Sequence, residues 1–125
     1  MKNLPLLRVI QLSLILALIG LFVFQWPAII YYNNPVKRVT AENKGTAVLY
    51  VTADCIYCAQ IKEIFDDKNF SYVEYDIDKN PKARSDMYEL GGKGVPLLLV
   101  NEEVIPGFNP DKVLQITQLA ATSRQ

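Results

Sequence analysis

The sequence predicts an α/β domain with the element order β-α-β-α-β-β-α and a mixed four-stranded sheet, preceded by one N-terminal transmembrane helix. Three observations predict it: a long uncharged apolar run near the N-terminus, short β-branched runs alternating with helical periodicity, and two closely spaced apolar runs near the C-terminus. The chain has 125 residues, so the part outside the apolar run is large enough for one small domain.

The composition excludes several classes of function. Lysine plus arginine equals aspartate plus glutamate, 13 against 13, so no net field favours nucleic acid or an acidic partner. The chain has no histidine, which excludes Cys-His and Ser-His catalytic pairs and every histidine-based metal site. Its 2 cysteines cannot complete a four-ligand zinc site. We therefore predict no nucleic-acid partner and no metal site.

The apolar run at residues 9–30 carries no charge and predicts a transmembrane helix. A run of roughly 22 residues at about 1.5 Å per residue is long enough to cross a hydrocarbon core of about 30 Å. The predicted boundaries are a short basic tail (1–8), the transmembrane helix (9–31), a linker (32–45) and the domain (46–122).

Two other interpretations of the run are a cleaved signal peptide and a buried core helix. The run is long for a signal peptide, and no small-x-small cleavage site follows it. Its length and uniform apolarity also disfavour a core helix. Trp26, Tyr31 and Tyr32 are expected at the headgroup level, and Pro27 is expected to bend or end the helix.

The basic residues that flank the run nearly balance in number. Lys2 and Arg8 precede it, whereas Lys37, Arg38 and Lys44 follow it. Because both basic residues of the tail lie at the start of the hydrophobic segment, we expect a short cytoplasmic tail. The chain is then a single-pass protein of a bacterial inner membrane, with its domain on the outer, periplasmic side.

The first strand is predicted at residues 46–52, because this run is apolar and rich in β-branched side chains. It leads directly to Cys55, and we expect a helix to begin within the cysteine motif with Asp54 or a neighbour as its cap. The helix continues to about residue 69 and presents an apolar face made of Ile61, Ile64 and Phe65.

A second strand and a second helix follow. Residues 71–77 alternate as a strand does, and Asn80 with Pro81 opens a helix that runs to about Leu90 and stops at a glycine pair. Because a helix joins the first two strands, they should be parallel, with helices covering both faces of the sheet.

The last elements are a hairpin and a helix. The third strand is predicted at 95–100 and the fourth at 104–105, antiparallel across a tight turn at 101–102. Asn109 is expected to cap a final helix that begins at Pro110. The side chains predicted to face inward from this helix are Val113, Leu114, Ile116 and Leu119.

The two cysteines, Cys55 and Cys58, stand two residues apart where a strand leads into a helix. One thiolate can there attack a disulfide, and the second can resolve the mixed disulfide that results. Cys55 is the better nucleophile, because the helix start favours its thiolate and Cys58 should be more shielded. The negative charge of the neighbouring Asp54 disfavours the thiolate form of Cys55. A static disulfide or two plain buried cysteines are the alternatives.

The dipeptide Val95-Pro96 is a second feature of interest. A proline at the head of a strand is commonly a trans edge residue. A cis bond here would instead expose the main chain of Val95 to an incoming peptide or to glutathione, and it would place the proline ring against the sulfurs.

Four motifs together resemble the glutaredoxin family of the thioredoxin superfamily, over residues 46–120: Cys55-Ile-Tyr-Cys58, Tyr75-Asp-Ile-Asp78, Leu90-Gly-Gly-Lys-Gly-Val-Pro96 and Ile105-Pro-Gly-Phe108. The resemblance implies a thioredoxin-like fold and a thiol-disulfide oxidoreductase. It makes Cys55 the attacking cysteine and Cys58 the resolving one, with Tyr57 as a wall of the substrate groove. It also implies a cis-proline backbone at Val95-Pro96. Gly107 and Phe108 are expected to shape the groove, although Phe108 is equally compatible with the core.

The resemblance also sets the expected partners. They are a protein disulfide or glutathione as co-substrate, and the lipid bilayer through residues 9–31, with the domain acting as a monomer without a resident cofactor. The chain departs from the family motif at Ile56, at Gly94 and after Pro106, and it has no basic residue shortly before Cys55. Two other functions remain open at this point: an iron-sulfur cluster module and an inactive domain with locked cysteines.

Overall fold

The computed structural model describes residues 4–123, with the main chain alone at residues 28 and 30–32. The chain divides into two compact units, Met1–Asn34 and Pro35–Gln125. Lys2 of the predicted tail and the side chains of Tyr31 and Tyr32 lie outside the described residues.

The first unit contains helix α1, Leu4–Tyr32, which is 29 residues long. Its segment Leu4–Pro27 is long and apolar enough to cross a membrane by length and composition, with a mean hydropathy of 2.4. The helix begins earlier than predicted, so residues 4–8 of the expected tail are helical. Pro27 does not end the helix, which continues to Tyr32.

Helix α2, Pro35–Glu42, corrects the prediction of a linker at residues 32–45. Val39 of this helix is 1% exposed, and Val36 packs against the same group of core residues. Proline is well placed in a first helical turn because it lacks the N–H that would be left unpaired there. The helix could not be predicted from the sequence, because a short segment with a single fully buried side chain shows little hydrophobic periodicity.

The second unit contains a mixed four-stranded sheet, as predicted. Its strands are β1 (Ala47–Val51), β2 (Tyr72–Asp76), β3 (Leu97–Val100) and β4 (Glu103–Pro106), in the order β2-β1-β3-β4. β1 and β2 are parallel, with Ala47 opposite Tyr72. β3 is antiparallel to β1 and to β4, with Leu98 opposite both Leu49 and Ile105.

Helices α3 (Ile56–Asp67), α4 (Pro81–Glu89) and α5 (Pro110–Thr122) complete the domain. Two of them are capped as their sequences predict. The side-chain oxygen of Asn80 accepts a hydrogen bond from the N–H of Ala83 at 3.0 Å, and that of Asn109 accepts one from Lys112 at 3.1 Å. Each cap satisfies one of the donors that a helix start leaves unpaired.

The two faces of the sheet bury two separate cores, because successive strand side chains point to opposite faces. The core toward α3 and α5 contains Leu49, Ile61, Phe65, Leu98 and Val113 among its members. The core toward α2 and α4 contains Val39, Tyr50, Met87 and Leu99 among its members. Helices on both faces confirm the predicted layering.

The structure corrects two details of the C-terminal half. Val95 and Pro96 precede β3 instead of belonging to it. In α5, Val113 and Ile116 are buried as predicted, but Leu119 is 62% exposed. Thr117 is buried instead. Its hydroxyl donates to the carbonyl of Leu114 at 2.8 Å, so the buried polar group is hydrogen-bonded.

Candidate active site

The candidate site lies at one edge of the sheet, where β1 and β2 end and β3 begins. The N–H of Ile77 donates to the carbonyl of Val51 at 3.0 Å, which keeps the ends of β1 and β2 side by side. β3 starts at Leu97, opposite the last residue of β4, Pro106. We call this part of the domain the cysteine edge; it comprises residues 52–58, 77–78, 94–96 and 107–108.

Cys55 is the N-cap of α3. Its main chain is extended, with φ −85° and ψ 101°, and its Sγ accepts a hydrogen bond from the N–H of Cys58 at 3.1 Å. The cap is therefore the cysteine itself and not the preceding Asp54. A sulfur in this position lies at the positive end of the helix dipole and close to unpaired N–H groups, which favours its thiolate form.

Cys55 and Cys58 are joined by a disulfide, with their Cα atoms 5.2 Å apart. The two sulfurs differ in environment, because Cys58 is 1% exposed and belongs to the core toward α3, whereas Cys55 is partly exposed. A molecule that approaches from solvent therefore meets Cys55 first.

The residues between the cysteines form an exposed apolar rim. Ile56 is 73% exposed and Tyr57 is 58% exposed. The ring of Tyr57 stacks on that of Phe108, with centroids 5.6 Å apart and planes at 21°. Phe108 also packs against the core toward α3. The side chain therefore contacts both the core and Tyr57, the two places where the sequence analysis allowed it to lie.

The peptide bond between Val95 and Pro96 is cis. Pro96 is buried, and its carbonyl accepts a hydrogen bond from the N–H of Gly107 at 2.8 Å. Gly107 has a φ of +72°, a conformation that favours glycine. This bond connects the loop before β3 with the loop after β4, so Gly107 and Phe108 are held beside Val95.

Charges at the end of β2 are paired with one another. A hydrogen bond from Lys79 and a second from the N–H of Asp78 hold the pKa of Asp76 below its usual range. Arg84 of α4 donates to the carbonyl of Ile77 at 2.9 Å and to the carboxylate of Asp78 at 2.7 Å. These contacts fix the loop that follows β2. Within residues 4–123, no group of three or more cysteine or acidic side chains is placed to hold a metal ion.

The structure thus brings all seven predicted site residues to the cysteine edge: Cys55, Tyr57, Cys58, Val95, Pro96, Gly107 and Phe108. Sequence reasoning gave no site role to Ile56 or Arg84. A role for Ile56 could have been predicted from its position between the cysteines, because that position puts a large apolar side chain on the first, exposed turn of a helix. The contacts of Arg84 could not have been predicted from its sequence neighbours, because its hydrogen-bond partners lie in the preceding loop.

Comparison with known proteins identifies related sequences. The glutaredoxin family model matches residues 47–105. An uncharacterized glutaredoxin-like 8.6 kDa protein in the rubredoxin operon of Clostridium pasteurianum is 30% identical over 66 residues, which cover 52% of this chain and 88% of that protein. The glutaredoxin-like protein NrdH of Escherichia coli K12 is 23% identical over 65 residues, covering 52% of this chain and 80% of the relative.

Solved structures show the same fold. The thioredoxin-like protein BC3987 superimposes with a TM-score of 0.55 at 29% identity, over 57% of this chain and 99% of that one. The NrdH-redoxin of Escherichia coli, whose structure was described as the basis of a thioredoxin-like activity profile, gives a TM-score of 0.53 at 21% identity, over 57% and 93% of the two chains.

Proposed function

The chain belongs to the glutaredoxin family, and from this we propose that its domain is a dithiol thiol-disulfide oxidoreductase that acts on a protein disulfide near a membrane. The observation that carries the proposal is the asymmetric cysteine pair. Cys55 is partly exposed at the start of α3, and Cys58 is buried one turn further on, within bonding distance of it.

The proposed exchange transfers two electrons from the cysteine pair to the substrate. The Cys55 thiolate attacks one sulfur of the substrate disulfide, whose S–S bond breaks, and the departing thiolate takes a proton from water. The thiolate of Cys58 then attacks the Cys55 sulfur, which forms the Cys55–Cys58 disulfide and releases the second substrate thiolate. A dithiol or a membrane-bound electron donor must then reduce the pair before another turnover.

The hydrogen bond from the Cys58 N–H to the Cys55 sulfur supports the first step. In the thiolate form this bond is charge-assisted, and the helix dipole adds to its effect. Both interactions are weaker for a neutral thiol, so they favour the reactive form of Cys55.

The surroundings of the pair favour a protein substrate over glutathione. Ile56 and Tyr57 present an apolar surface that suits a protein partner better than a small anionic peptide. The neighbouring start of α5 is poorly suited to a carboxylate. Asn109 already accepts the N–H of Lys112, Pro110 has no N–H, and Asp111 adds a negative charge in the first turn.

We further propose that α1 anchors the chain in the bacterial inner membrane, with the domain on the periplasmic side. The length and apolarity of Leu4–Pro27 support the anchor. On that side, glutathione and thioredoxin systems do not keep thiols reduced, so the pair needs a membrane electron donor or acts as an oxidant.

Two measurements test the anchor and its orientation. The chain should stay in the membrane pellet after alkaline extraction, and release into the supernatant would refute the anchor. A tag placed after Gln125 should be digested by protease added to spheroplasts. Protection of the tag would refute the periplasmic orientation without affecting the proposed chemistry.

Serine substitutions test the chemistry. Cys55→Ser should abolish reduction of a protein disulfide, whereas Cys58→Ser should accumulate a mixed disulfide on Cys55 that mass spectrometry detects. Ala59→Ser is the matched control, because it adds a hydroxyl on the exposed side of the same helix turn and should retain full turnover. Turnover retained by Cys55→Ser would contradict the proposal.

A further inference from the structure

Helix α1 carries two glutamine side chains on an otherwise mostly apolar surface. Gln11 and Gln25 are exposed, and within residues 4–123 neither side-chain amide forms a hydrogen bond with another group of the chain. A glutamine amide has two N–H donors and a carbonyl acceptor, and all of them lose their water on entering hydrocarbon. An amide at that depth therefore needs a hydrogen-bond partner from another molecule.

The two glutamines lie at different depths of the predicted span. At about 1.5 Å per residue the segment Leu4–Pro27 is roughly 36 Å long, slightly more than a hydrocarbon core of about 30 Å. Gln11 lies roughly 10 Å along the helix from Leu4, which places it inside the hydrocarbon. Gln25 precedes Trp26, a residue type found at headgroup level, where water remains available. Gln11 is therefore the residue whose amide most needs a partner.

Leucines occupy the same face of α1 as the two glutamines. Gln11 and Gln25 are 14 residues apart, which is two heptads, and Leu14, Leu18 and Leu21 continue the alternating spacing of three and four residues between them. We call these five residues the glutamine seam. Its leucines are 59%, 64% and 60% exposed, so the described part of the chain leaves the seam uncovered. Apolar residues at this spacing, with a polar residue at one heptad position, are the pattern by which two helices pair side by side.

Building on the proposed membrane anchor, we propose that the glutamine seam pairs with the same seam of a second copy of this chain, so that two α1 helices form a parallel coiled coil in the bilayer. All copies insert in the same direction, so Gln11 meets Gln11 of the second copy across a two-fold axis. An amide can both donate to and accept from an identical amide, which hydrocarbon cannot do. The chain is then a dimer through α1, whereas the resemblance led us to expect a monomer.

Another face of α1 competes with the glutamine seam as a contact surface. Ser13, Ala17 and Gly20 have small side chains, which allow two helices to approach closely. A serine hydroxyl can be satisfied by a carbonyl of its own helix, so this face does not require a second molecule. The unpaired amide of Gln11 is the observation that favours the glutamine seam.

Sedimentation equilibrium of the full chain in density-matched detergent micelles tests the role of the amides. Reductant is present, so that disulfides between two domains cannot produce a dimer. Gln11→Leu should raise the dissociation constant of the dimer roughly tenfold, as expected for the loss of two hydrogen bonds between helices. Gln25→Leu is the matched comparison, because it makes the same substitution at the hydrated end of the seam and should have a smaller effect. Ser13→Ala should have none.

Oxidative cross-linking in native membranes tests the geometry of the contact. In a background that lacks both native cysteines, Leu14→Cys and Leu18→Cys should each give disulfide-linked dimers. Leu16→Cys is the matched control, because it makes the same substitution on the opposite side of the helix and should give little cross-linking.

Three results would overturn the proposal: an unmodified chain that stays monomeric, a dissociation constant that Gln11→Leu leaves unchanged, or a Leu16→Cys variant that cross-links as well as Leu14→Cys. Cross-linking strongest at Ser13→Cys and Gly20→Cys would assign the contact to the small side chains instead. Release of the unmodified chain by alkaline extraction would refute the anchor itself, and this is distinct from a monomer that stays in the membrane pellet.

Discussion

Replacing Arg38 with methionine should lower the free energy of unfolding of the domain by about 2–3 kcal/mol, because Arg38 ties α2 to α4. Its guanidinium donates to Asp86 at 2.9 Å and to Glu89 at 2.7 Å on α4, and to Glu42 at 3.3 Å on its own helix. Burial alone would lower the pKa of Arg38, but the hydrogen bonds to Asp86 and Glu89 raise it above its usual range.

The magnitude follows from how exposed each partner is. The side chains of Glu42 and Glu89 are 43% and 51% exposed, so these two pairs contribute about 0.2–1 kcal/mol each. The side chain of Asp86 is only 10% exposed, and its hydrogen bond to a charged group is worth about 1.5–3 kcal/mol. Lys82 remains bonded to Asp86 at 2.8 Å, which keeps the loss below the roughly 3–5 kcal/mol of an isolated buried charge.

Urea denaturation of the full chain in detergent micelles measures the effect, followed by the near-ultraviolet circular dichroism of the tyrosines. The only tryptophan, Trp26, lies in α1 and not in the domain. Glu89→Gln is the matched comparison, because it removes only an exposed pair and should cost less than about 1 kcal/mol. The double variant Arg38→Met/Asp86→Leu should be more stable than Arg38→Met, since it also removes a nearly buried carboxylate that would keep only the exposed Lys82 as its cationic partner.

The reasoning fails if Arg38→Met and Glu89→Gln destabilise the domain equally, because Asp86 would then contribute no more than a surface charge. It also fails if the double variant is less stable than Arg38→Met. The first result would mean that the bond from Arg38 to Asp86 is worth no more than an exposed ion pair. The second would mean that Lys82 alone compensates the charge of Asp86.

Two further predictions concern packing and pH. Gly92→Ala should destabilise the domain by about 1–3 kcal/mol in the same urea titration, because the new methyl would lie 2.9 Å from the carbonyl oxygen of Met87. The control Gly94→Ala should be neutral or slightly stabilising. Equal effects of the two substitutions on the free energy of unfolding would refute the packing argument. The hydrogen bond from Lys82 holds the pKa of Glu42 in the folded domain below its usual 4.5. The stability that Glu42 contributes is therefore present above pH 4.5 and is lost as the pH falls through this lowered pKa. Glu42→Gln should therefore be less stable than the unmodified chain at pH 7 and should approach it in acid; a difference independent of pH would refute this.

Much of the candidate site could be predicted because its signals are local. A strand, a Cys-x-x-Cys motif and helical periodicity after it are enough to place Cys55 at a helix start and to distinguish its exposure from that of Cys58. Asn80 and Asn109 could be assigned as caps for the same reason, since the capping oxygen and the N–H that donates to it lie three residues apart in the sequence.

Two of the missed features depend on where the core lies, which distant parts of the chain decide. α2 was predicted as a linker because its stability comes from burial of Val39 and from ion pairs 48 and 51 residues away in sequence. Leu119 fits the helical period, yet the core ends before it.

The local order of residues was sufficient for the identity of the strands, for the parallel first pair and the antiparallel hairpin, and for the nature of the chemistry, because periodicity, caps and cysteine spacing act over a few residues. The position of β3 beside β1 came from the structure. The folded domain was needed to bring Gly94, Val95, Gly107 and Phe108 to the same edge as Cys55. That arrangement follows from the register in which β3 pairs with β1 and β4, and register is a property of the assembled sheet.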